Sequence, residues 1–373
     1  MKIGIITWFT GSNYGTNLQA IALQYYLRKI GHEVKIINYE VESDVKKRET
    51  LVEKIKKQPQ KYFNKCIYRI YSSEIKERNE KLEKAILDNC ILTHRICSDE
   101  EFVKTANEFE LLICGGDQIW NPNWYHPFNF ANYEKIYVRK ISYAPSLGVS
   151  NIPEEQRQNI KKSLSDFSHI SVREKQSVGI LEELLHRTIE NVVDPAFLLS
   201  EKDWMKIFPC KNDSLQRKEY ILSMFLTDNR RHWKACCEFA KRKKMKLVVI
   251  PYCGFSYLQR AEIITSADLN DVLDLILNAK YILTDSFHIS LFSIIYKKQF
   301  YVFQRFKENP CTSTNERIRN LLEITGTNDR YIQYGTNSII EKQNMDYNKV
   351  MEKLQKEIEK SKNFLDKAIQ DIN

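Results

Sequence analysis

The sequence lacks the features that would assign it at once to several common protein classes. No apolar run approaches the roughly 18 residues of a membrane span anywhere along its 373 residues. The nine cysteines are scattered and include no C-x-x-C pair, which indicates neither a disulfide framework nor a zinc site. The first residues, MKIGIITWF, have one lysine and no small-residue cleavage site after them. We therefore expect no signal peptide and a reducing, cytoplasmic location.

Glycine is also scarce, with 11 residues in all. The turn Gly11–Gly15 lacks the third glycine of a dinucleotide fingerprint and the Gly-Lys-Ser/Thr end of a phosphate-binding loop. The second half contains only Gly254, Gly326 and Gly335, which form no cluster. A nucleotide-binding loop of a familiar kind is therefore not predicted.

The overall composition describes a soluble globular protein, with 43% hydrophobic and 28% charged residues. A chain of this length is too long for one ordinary core and favours two domains. Strands and helices alternate along it, which predicts α/β domains with parallel sheets.

Positive charge is concentrated in one segment. Residues 46–84 contain thirteen Lys or Arg against six Glu, within a chain of net charge +9. Phe63, Ile67, Ile70 and Tyr71 recur among the lysines at helical spacing. Such a segment is either a solvated helical insertion or a surface that associates with an anionic membrane. Nucleic acid is not favoured as a partner, because no nucleic-acid-binding motif accompanies the charge.

The predicted fold is α/β, with two Rossmann-like domains that face a cleft. The first, residues 1–195, carries the basic helical insertion near 41–100 and is the expected acceptor side. The second, residues 196–373, carries the candidate catalytic histidine, and its last helix either caps this domain or crosses back to the first. We predict strands at Lys2–Trp8, Glu33–Tyr39, Phe109–Cys114, Lys140–Ala144, His169–Val172, Asn191–Val193, Tyr220–Leu226, Lys246–Tyr252, Tyr281–Leu283 and Gln299–Phe303.

The stretch 280–303 is the most informative part of the sequence. The apolar strand Tyr281–Leu283 leads into Thr284, Asp285 and Ser286, and then into a helix that opens with Phe287 and His288. Ligands bind at the carboxyl ends of parallel strands, and free N–H groups at a helix start favour anions. His288 is therefore either a proton donor or acceptor beside a bound anion, or a histidine that caps a strand-helix junction.

Other polar residues are predicted at the same sheet edges. Asn13 and Asn17 stand at the start of the first helix and can bind an anion or sugar hydroxyls. Asp117 follows the turn Gly115-Gly116 and either orients or deprotonates a hydroxyl, or caps the next backbone turn. The loop after it contains further candidates for an acceptor sugar, whose ring faces suit aromatic side chains: Trp120, Asn121 and Trp124.

Three arginines are candidates for binding an anionic donor. Arg173 directly follows a predicted strand, where a guanidinium can grip a carboxylate or phosphate with two hydrogen bonds. The alternative for Arg173 is a salt bridge to Glu174 or another neighbour. Arg305, just past the predicted strand Gln299–Phe303, and Arg317 are weaker candidates of the same kind.

Six segments in this order resemble the polysaccharide pyruvyl transferase family: GSNYGTNLQAIALQYYL, ICGGDQIWNP, ISYAPSLG, ISVREKQSVGILEEL, VVDPAFLL and TDSFHISLFSIIYKKQF. The resemblance implies a fold like that of the glycosyltransferase-B (GT-B) enzymes. It also implies that pyruvate is transferred from phosphoenolpyruvate, a co-substrate, to a pair of sugar hydroxyls as a cyclic ketal, with no other cofactor and no metal. The histidine, acid-binding arginine and aspartate of the family match His288, Arg173 and Asp117.

One departure from the family pattern concerns the donor. Some members have arginine two positions before the histidine, where this chain has Ser286. Either Arg305, Arg317 or a lysine replaces that contact, or this branch binds another donor. The implied acceptor is a sugar or a lipid-linked oligosaccharide for a surface polysaccharide, with the protein at the inner face of the membrane. Two rival interpretations stay open: a glycosyltransferase of the same architecture that uses a nucleotide sugar, and a non-catalytic relative that binds a sugar or an anion.

Overall fold

The chain is described from a computed structural model that covers residues 1–39, 59–210, 219–307 and 315–371. Two separate parallel sheets dominate it, and every strand pair within the described residues is parallel. Parallel sheets are covered by helices on both faces, so their central strands are largely apolar. The strand Leu111–Gly115, for example, is buried along its whole length.

The first sheet has five strands in the order β2-β1-β3-β4-β5. A short pair, β6 and β7, continues beside it. The bounds are β1 (Lys2–Ile6), β2 (Glu33–Ile36), β3 (Leu111–Gly115), β4 (Arg139–Tyr143), β5 (Phe167–His169), β6 (Ser171–Val172) and β7 (Glu190–Asn191). The single strand predicted over His169–Val172 was wrong in extent, because the chain passes from the sheet to the short pair at Ile170.

The second sheet has six strands in the order β10-β9-β8-β11-β12-β13. Counted from β8, this is the order 3-2-1-4-5-6 of a dinucleotide-binding Rossmann sheet. The bounds are β8 (Tyr220–Met224), β9 (Lys246–Val249), β10 (Glu262–Ile263), β11 (Tyr281–Thr284), β12 (Gln299–Phe303) and β13 (Tyr331–Ile332). The sequence prediction missed β10 and β13, because two-residue strands carry no periodic pattern.

Helices cover both sheets. Their starts follow ordinary capping rules: the Asn13 side chain accepts from the N–H of Gly15, and the Ser98 side chain from that of Glu101. The helices are α1 (Tyr14–Lys29), α2 (Pro59–Ile70), α3 (Ser72–Asn89), α4 (Asp99–Ala106), α5 (Glu154–Leu164), α6 (Lys175–Leu185), α7 (Glu201–Ile207), α8 (Arg230–Lys243), α9 (Leu269–Asn278), α10 (Phe287–Ile295), α11 (Glu316–Thr325) and α12 (Tyr347–Gln370).

The last helix, α12, crosses from the second sheet to the first. Near its start, the Tyr347 hydroxyl donates to the carbonyl of Ser293 at 3.3 Å. Near its end, Arg139 of β4 donates to the carbonyls of Ala368 and Ile369 at 2.8 and 2.7 Å. Of the two arrangements that the sequence allowed, the helix therefore adopts the crossing one.

The basic insertion packs against the second domain. Arg78 of α3 donates to the carbonyl of Pro251 at 2.9 Å, and the ring of Tyr71 lies 4.6 Å from that of Tyr257. Ile67 of the apolar stripe is buried by this packing, whereas Ile70 is 70% exposed. Part of the apolar stripe that could have entered a membrane is thus buried inside the protein. Residues 46–58 of the predicted basic segment lie outside the described residues.

An apolar core connects the two domains. One continuous cluster includes Ile5 of β1, Leu18 of α1, Ile282 of β11 and Leu365 of α12. Because an interface of this kind is held by apolar burial, the two sheets face each other in a defined orientation. Within the described residues no helix is long and apolar enough to cross a membrane.

Candidate active site

A cavity of about 380 Å³ lies between the two domains at the carboxyl ends of both sheets. Its volume is within the range of small-molecule sites, roughly 300–1,000 Å³. Both domains contribute to its wall: Trp8, Thr10, Gly11, Ser12, Asn13, Thr16, Asp117, Gln118 and Trp124 from the first, and Leu226, Ser286, Phe287, His288, Arg305 and Arg317 from the second.

The position of the cavity follows from the strand order. Ligands of open α/β sheets bind where the strand order reverses direction. This point lies between β1 and β3 in the first sheet and between β8 and β11 in the second. The buried carboxylate of Asp285 joins β11 to the end of β8, since it accepts from the Leu226 N–H and the Thr227 hydroxyl, both at 2.6 Å. Both reversal points therefore open into one cavity.

His288 stands in the first turn of α10. The preceding Ser286 caps this helix, since its side chain accepts from the N–H of Ile289 at 3.4 Å. The imidazole is largely buried, and its Nε2 lies 3.5 Å from Oδ2 of Asp194. Nε2 has no hydrogen-bond partner within the described residues. The structure thus brings His288 to the cavity with a carboxylate beside it.

Asp194 is fully buried under the cavity. Its Oδ1 accepts from the N–H of Ala196 at 3.0 Å, and its Oδ2 accepts from Arg173 Nη1 at 2.6 Å. Burial alone would raise the pKa of Asp194, but His288 and Arg173 outweigh it and hold the pKa below the usual range. Asp194 is therefore an ionised carboxylate between two basic side chains.

Arg173 lies beneath the cavity and does not line it. Two of its three nitrogens are engaged, Nε with Glu174 at 3.1 Å and Nη1 with Asp194 at 2.6 Å, and only Nη2 has no partner within the described residues. Its guanidinium carbon lies 4.6 Å from the centre of the Phe287 ring. Arg173 therefore cannot bind a donor anion through two hydrogen bonds as predicted, because two of its nitrogens already bind the carboxylates of Glu174 and Asp194.

Asp117 follows β3 in a constrained backbone. Gly116 and Asp117 both have positive φ, +75° and +45°, a left-handed conformation that glycine and, among the other residues, aspartate adopt most readily in turns. The carbonyl of Asp117 accepts from the N–H of Ser146 at 2.7 Å, and its Oδ2 accepts from the Thr16 hydroxyl. The turn directs the carboxylate into the cavity.

Arg305 and Arg317 supply the positive charge of the cavity wall. Nε and Nη2 of Arg305 donate to the backbone carbonyl of Asp285, at 3.2 and 2.8 Å. The amide oxygen of Gln118, in the orientation that satisfies its hydrogen bonds, accepts from both terminal nitrogens of Arg317 at 2.9 and 3.0 Å. Neither arginine forms an ion pair with a carboxylate in the part of the chain that the structure describes.

This lack of counter-charge affects Arg317. Burial, followed by the charges of Arg173 and Arg305, lowers the pKa of Arg317 below its ordinary value, yet a guanidinium remains protonated at neutral pH. Its Nε is buried and has no partner among the described residues. An anion in the cavity would relieve the repulsion among the arginines and satisfy this donor.

The predicted aromatic loop contributes one side chain to the cavity. Trp124 is 55% exposed, and its ring lies 5.8 Å from that of Trp8. Trp120, by contrast, is fully buried: its indole N–H donates to the carbonyl of Asn129 and its ring stacks on Phe130. The expectation that Trp120 faces a sugar was therefore wrong, because that ring fills the domain core.

Of the three predicted asparagines, one lines the cavity and two do not. Asn13 lines the cavity while it caps α1. Asn17 is buried one turn further along α1 and does not line the cavity. Asn121 is buried too, where its side chain accepts from the N–H of Asn123 at 3.0 Å. Asn17 and Asn121 are therefore not brought to the cavity surface.

Trp8, Gln118 and Asp194 were not among the predicted site residues. Trp8 lies two residues after β1 and Gln118 three residues after β3, and this nearness to a strand end could have suggested them. Asp194 directly follows the predicted strand Asn191–Val193, but the sequence did not reveal its partners Arg173 and His288, which are 21 and 94 positions away. Within the described residues no three His, Cys, Asp or Glu side chains gather as a metal site would require.

Solved structures similar to this chain include UDP-N-acetylglucosamine 2-epimerases. The chain is similar to a putative enzyme of this kind from Listeria monocytogenes, with a TM-score of 0.51, 13% identity, and 99% of this chain and 90% of that chain covered. The enzyme from Methanocaldococcus jannaschii gives a TM-score of 0.52 and 13% identity over 95% of this chain and 92% of its own. At such identity the likeness concerns the fold alone: two Rossmann-like domains facing a cleft, the predicted GT-B architecture.

Sequence comparison defines the family. No protein of curated function matches the chain. The family described as polysaccharide pyruvyl transferase matches residues 13–305. This region contains the cavity-lining residues between Asn13 and Arg305. The match covers most of the chain, which therefore belongs to the polysaccharide pyruvyl transferase family.

Proposed function

We propose that the protein transfers pyruvate from phosphoenolpyruvate to two hydroxyls of one sugar and forms a cyclic ketal. The observation that carries the proposal is the pair Arg305 and Arg317, which has no carboxylate partner within the described residues and faces a cavity beside His288. A small, multiply charged donor suits such a site, because guanidinium groups bind carboxylates and phosphates through paired N–H groups.

Arg305 is the candidate to replace the family arginine that is missing at Ser286. Its guanidinium is bound to the carbonyl of Asp285, the residue directly before Ser286. Arg317 faces the cavity from α11 and reaches Gln118 of the first domain. In the proposal, Arg305 and Arg317 hold the carboxylate and phosphate of the donor, and the N–H groups at the start of α10 assist.

His288 is the proposed proton donor. It protonates the methylene carbon of phosphoenolpyruvate, which leaves an oxocarbenium-like centre at C2. The ionised Asp194 beside it stabilises the protonated imidazole, and Arg173 fixes Asp194 from below. Arg173 is thus a positioning residue in this mechanism, in place of the direct donor contact expected from the sequence.

Asp117 is the proposed base. It accepts the proton of the first sugar hydroxyl as that oxygen bonds to C2. The C–O bond to phosphate breaks, and the second hydroxyl then closes the ketal. The two sugar hydroxyls lose one proton each. One of these protons restores His288, which has protonated the methylene carbon, and the other leaves on the phosphate. The reaction therefore needs no oxidant or reductant.

The acceptor would contact the first domain. Trp8 and Trp124 form a tilted pair with one exposed ring, a surface that suits the C–H face of a sugar. Asn13 and Ser12 offer polar atoms next to it. We propose a lipid-linked saccharide as acceptor, with the protein in the cytoplasm at the inner membrane face, in the synthesis of a surface polysaccharide such as an exopolysaccharide or capsule.

The function is tested with purified protein, phosphoenolpyruvate and a panel of lipid-linked and free oligosaccharides. We expect phosphate release that depends on the acceptor, and mass spectrometry should find an acid-labile pyruvyl ketal on the sugar. UDP- and GDP-sugars are offered to the same panel in parallel. Hexose transfer without ketal formation would replace the proposal with a glycosyltransferase. Binding of saccharide or phosphoenolpyruvate without any product would identify a non-catalytic relative.

A further inference from the structure

A second cavity, the insertion groove, adjoins the active-site cavity. It has a volume of about 520 Å³ and lies between the insertion helices and the loop after β9. Ser12 lines both cavities, so the two adjoin at this residue. The groove is lined by Ser12, Tyr68, Ser72, Ile75, Lys76, Arg78, Asn79, Glu80, Glu83 and Tyr252.

Arg78 is the unusual residue of this groove, because its charge is buried without a counter-charge. The residue is 4% exposed. Its Nη1 donates to the carbonyl of Pro251 at 2.9 Å, and its Nε has no partner within the described residues. Its other neighbours are the neutral hydroxyls of Tyr14 and Tyr257, and it forms no ion pair in the described part of the chain. A buried, unpaired charge is costly, so Arg78 is suited to an anion that enters with a ligand.

The rest of the groove suits a saccharide. Tyr68 and Tyr252 both line it, and the Tyr68 hydroxyl donates to the Tyr252 carbonyl at 3.3 Å. Aromatic faces pack against sugar rings, and the exposed Asn79 and Ser72 can bind hydroxyls. The groove thus combines aromatic side chains with the buried cation of Arg78, and it is also lined by Lys76, Glu80 and Glu83, of which Lys76 and Glu80 pair at 3.7 Å.

We propose that the insertion groove binds a further saccharide unit of the acceptor and that Arg78 binds an anionic group of that unit. The group is either a phosphate, as in the link to a lipid carrier, or the carboxylate of an acidic sugar. The inference rests on the proposed function in naming the ligand an acceptor. It assigns the helical insertion to acceptor selection, a role that the membrane and solvated-insertion interpretations did not include.

The test measures binding of three disaccharides to the full chain by calorimetry: neutral lactose, lactose 1-phosphate and a glucuronosyl-galactose. We expect at least one anionic disaccharide to bind about tenfold more tightly than lactose. Ser72→Trp should fill the groove and abolish this preference. Ser73→Trp, on the adjacent exposed residue that does not line the groove, should retain it. Arg78→Met should also abolish the preference, with melting measured to confirm folding.

The outcomes are distinct. Preference for the phosphate indicates a carrier-linked acceptor, and preference for the uronate indicates an acidic sugar. Equal binding of all three disaccharides, or a preference that survives Ser72→Trp, would overturn the inference, since the anions would then bind at Arg305 and Arg317. Phosphate release from phosphoenolpyruvate is assayed separately. If it fails while the groove preference holds, the proposed function is wrong and the groove remains a saccharide site.

Discussion

The imidazole of His288 lies directly against Gly15, with no room for a side chain between them. A Cβ built on Gly15 would come within 2.0 Å of Nδ1 of His288. Gly15 belongs to the first turn of α1 in the first domain, and His288 to the first turn of α10 in the second. The starts of two helices therefore meet at the candidate catalytic group, and the contact between the domains sets the position of the imidazole.

Gly15→Ala tests this contact. The added methyl group must displace the His288 ring, so we expect acceptor-dependent phosphate release to fall by at least about tenfold, or roughly 1.4 kcal/mol in the barrier. Gly179→Ala is the matched control, because a Cβ at Gly179 in α6 meets nothing within 4 Å. A Gly15→Ala enzyme with the wild-type rate would show that the position of His288 does not matter for turnover.

His288→Asn tests the proton donor. The amide cannot donate a proton to carbon, and we expect turnover to fall by about a hundredfold, a usual effect of losing a general acid. The variant should still fold, because Arg173 keeps its contact with Asp194, although loss of the buried contact between His288 and Asp194 should lower the melting temperature. The measurement is single-turnover phosphate release together with thermal melting. Near-wild-type turnover on a true acceptor would remove His288 from the mechanism.

Asp194→Asn tests the buried carboxylate through pH. The pKa of Asp194 in the folded state lies below its ordinary value, because His288 and Arg173 outweigh the effect of burial. The carboxylate therefore stabilises the fold above its unfolded pKa, about 3.9, and this contribution is lost as the pH falls through the lower folded value. At pH 7 we expect Asp194→Asn to lower the free energy of unfolding by about 3–5 kcal/mol.

Urea unfolding of wild type and Asp194→Asn at several pH values between 7 and about 3 measures this difference. The difference in unfolding free energy between wild type and Asp194→Asn should narrow below about pH 4. Asp88→Asn, at an exposed position of α3, should have the same unfolding free energy as wild type at every pH. A difference between wild type and Asp194→Asn that stays constant with pH would mean that the side chain acts by shape and not by charge.

Arg317→Lys tests the donor site. Lysine keeps one charge but cannot present paired N–H groups, so we expect the KM for phosphoenolpyruvate to rise about tenfold. Arg319→Lys is the control: Arg319 lies on the same helix, pairs with Glu316 at 2.5 Å and does not line the cavity. Equal KM values for the two variants would contradict a donor contact at Arg317.

Arg173→Lys separates positioning from donor binding. Because Arg173 contacts Asp194 and Glu174 beneath the cavity, we expect kcat to fall with little change in the KM for phosphoenolpyruvate. A raised KM at unchanged kcat would instead restore the direct donor contact that the sequence suggested. A lower melting temperature with unchanged kinetics would leave Arg173 a purely structural salt bridge.

Membrane association is a separate prediction. Since the apolar stripe of the insertion partly packs inside the protein, attachment would depend mainly on charge. We expect sedimentation with anionic but not neutral vesicles, fading by about 0.5 M salt. Lys65→Glu with Arg69→Glu, both exposed on α2, should weaken it, and Lys161→Glu with Lys162→Glu on α5 should not. Equal sedimentation with both vesicle types, or with neither, would reject the membrane role.

Local patterns in the sequence were sufficient to predict the alternation of strands and helices and to recognise the family. Apolar runs such as Tyr281–Thr284, followed by a Ser cap and an apolar helix, are decided by neighbours in the chain. The same local signals located His288, Asp117 and Asn13 at strand ends or helix starts, and these residues do line one cavity. Strand ends converge in parallel sheets, which is why sequence position sufficed for them.

Only the tertiary structure decided which polar groups meet. Asp194 joins Arg173 and His288 from three separate segments, and Gln118 binds Arg317 across the two domains. The sequence alone placed Trp120 at the acceptor site and Arg173 at the donor, because residue type does not reveal which face of a loop is buried or which nitrogens are already occupied. Burial and pairing depend on contacts between distant segments, and these arise only when the two sheets and the crossing helix pack together.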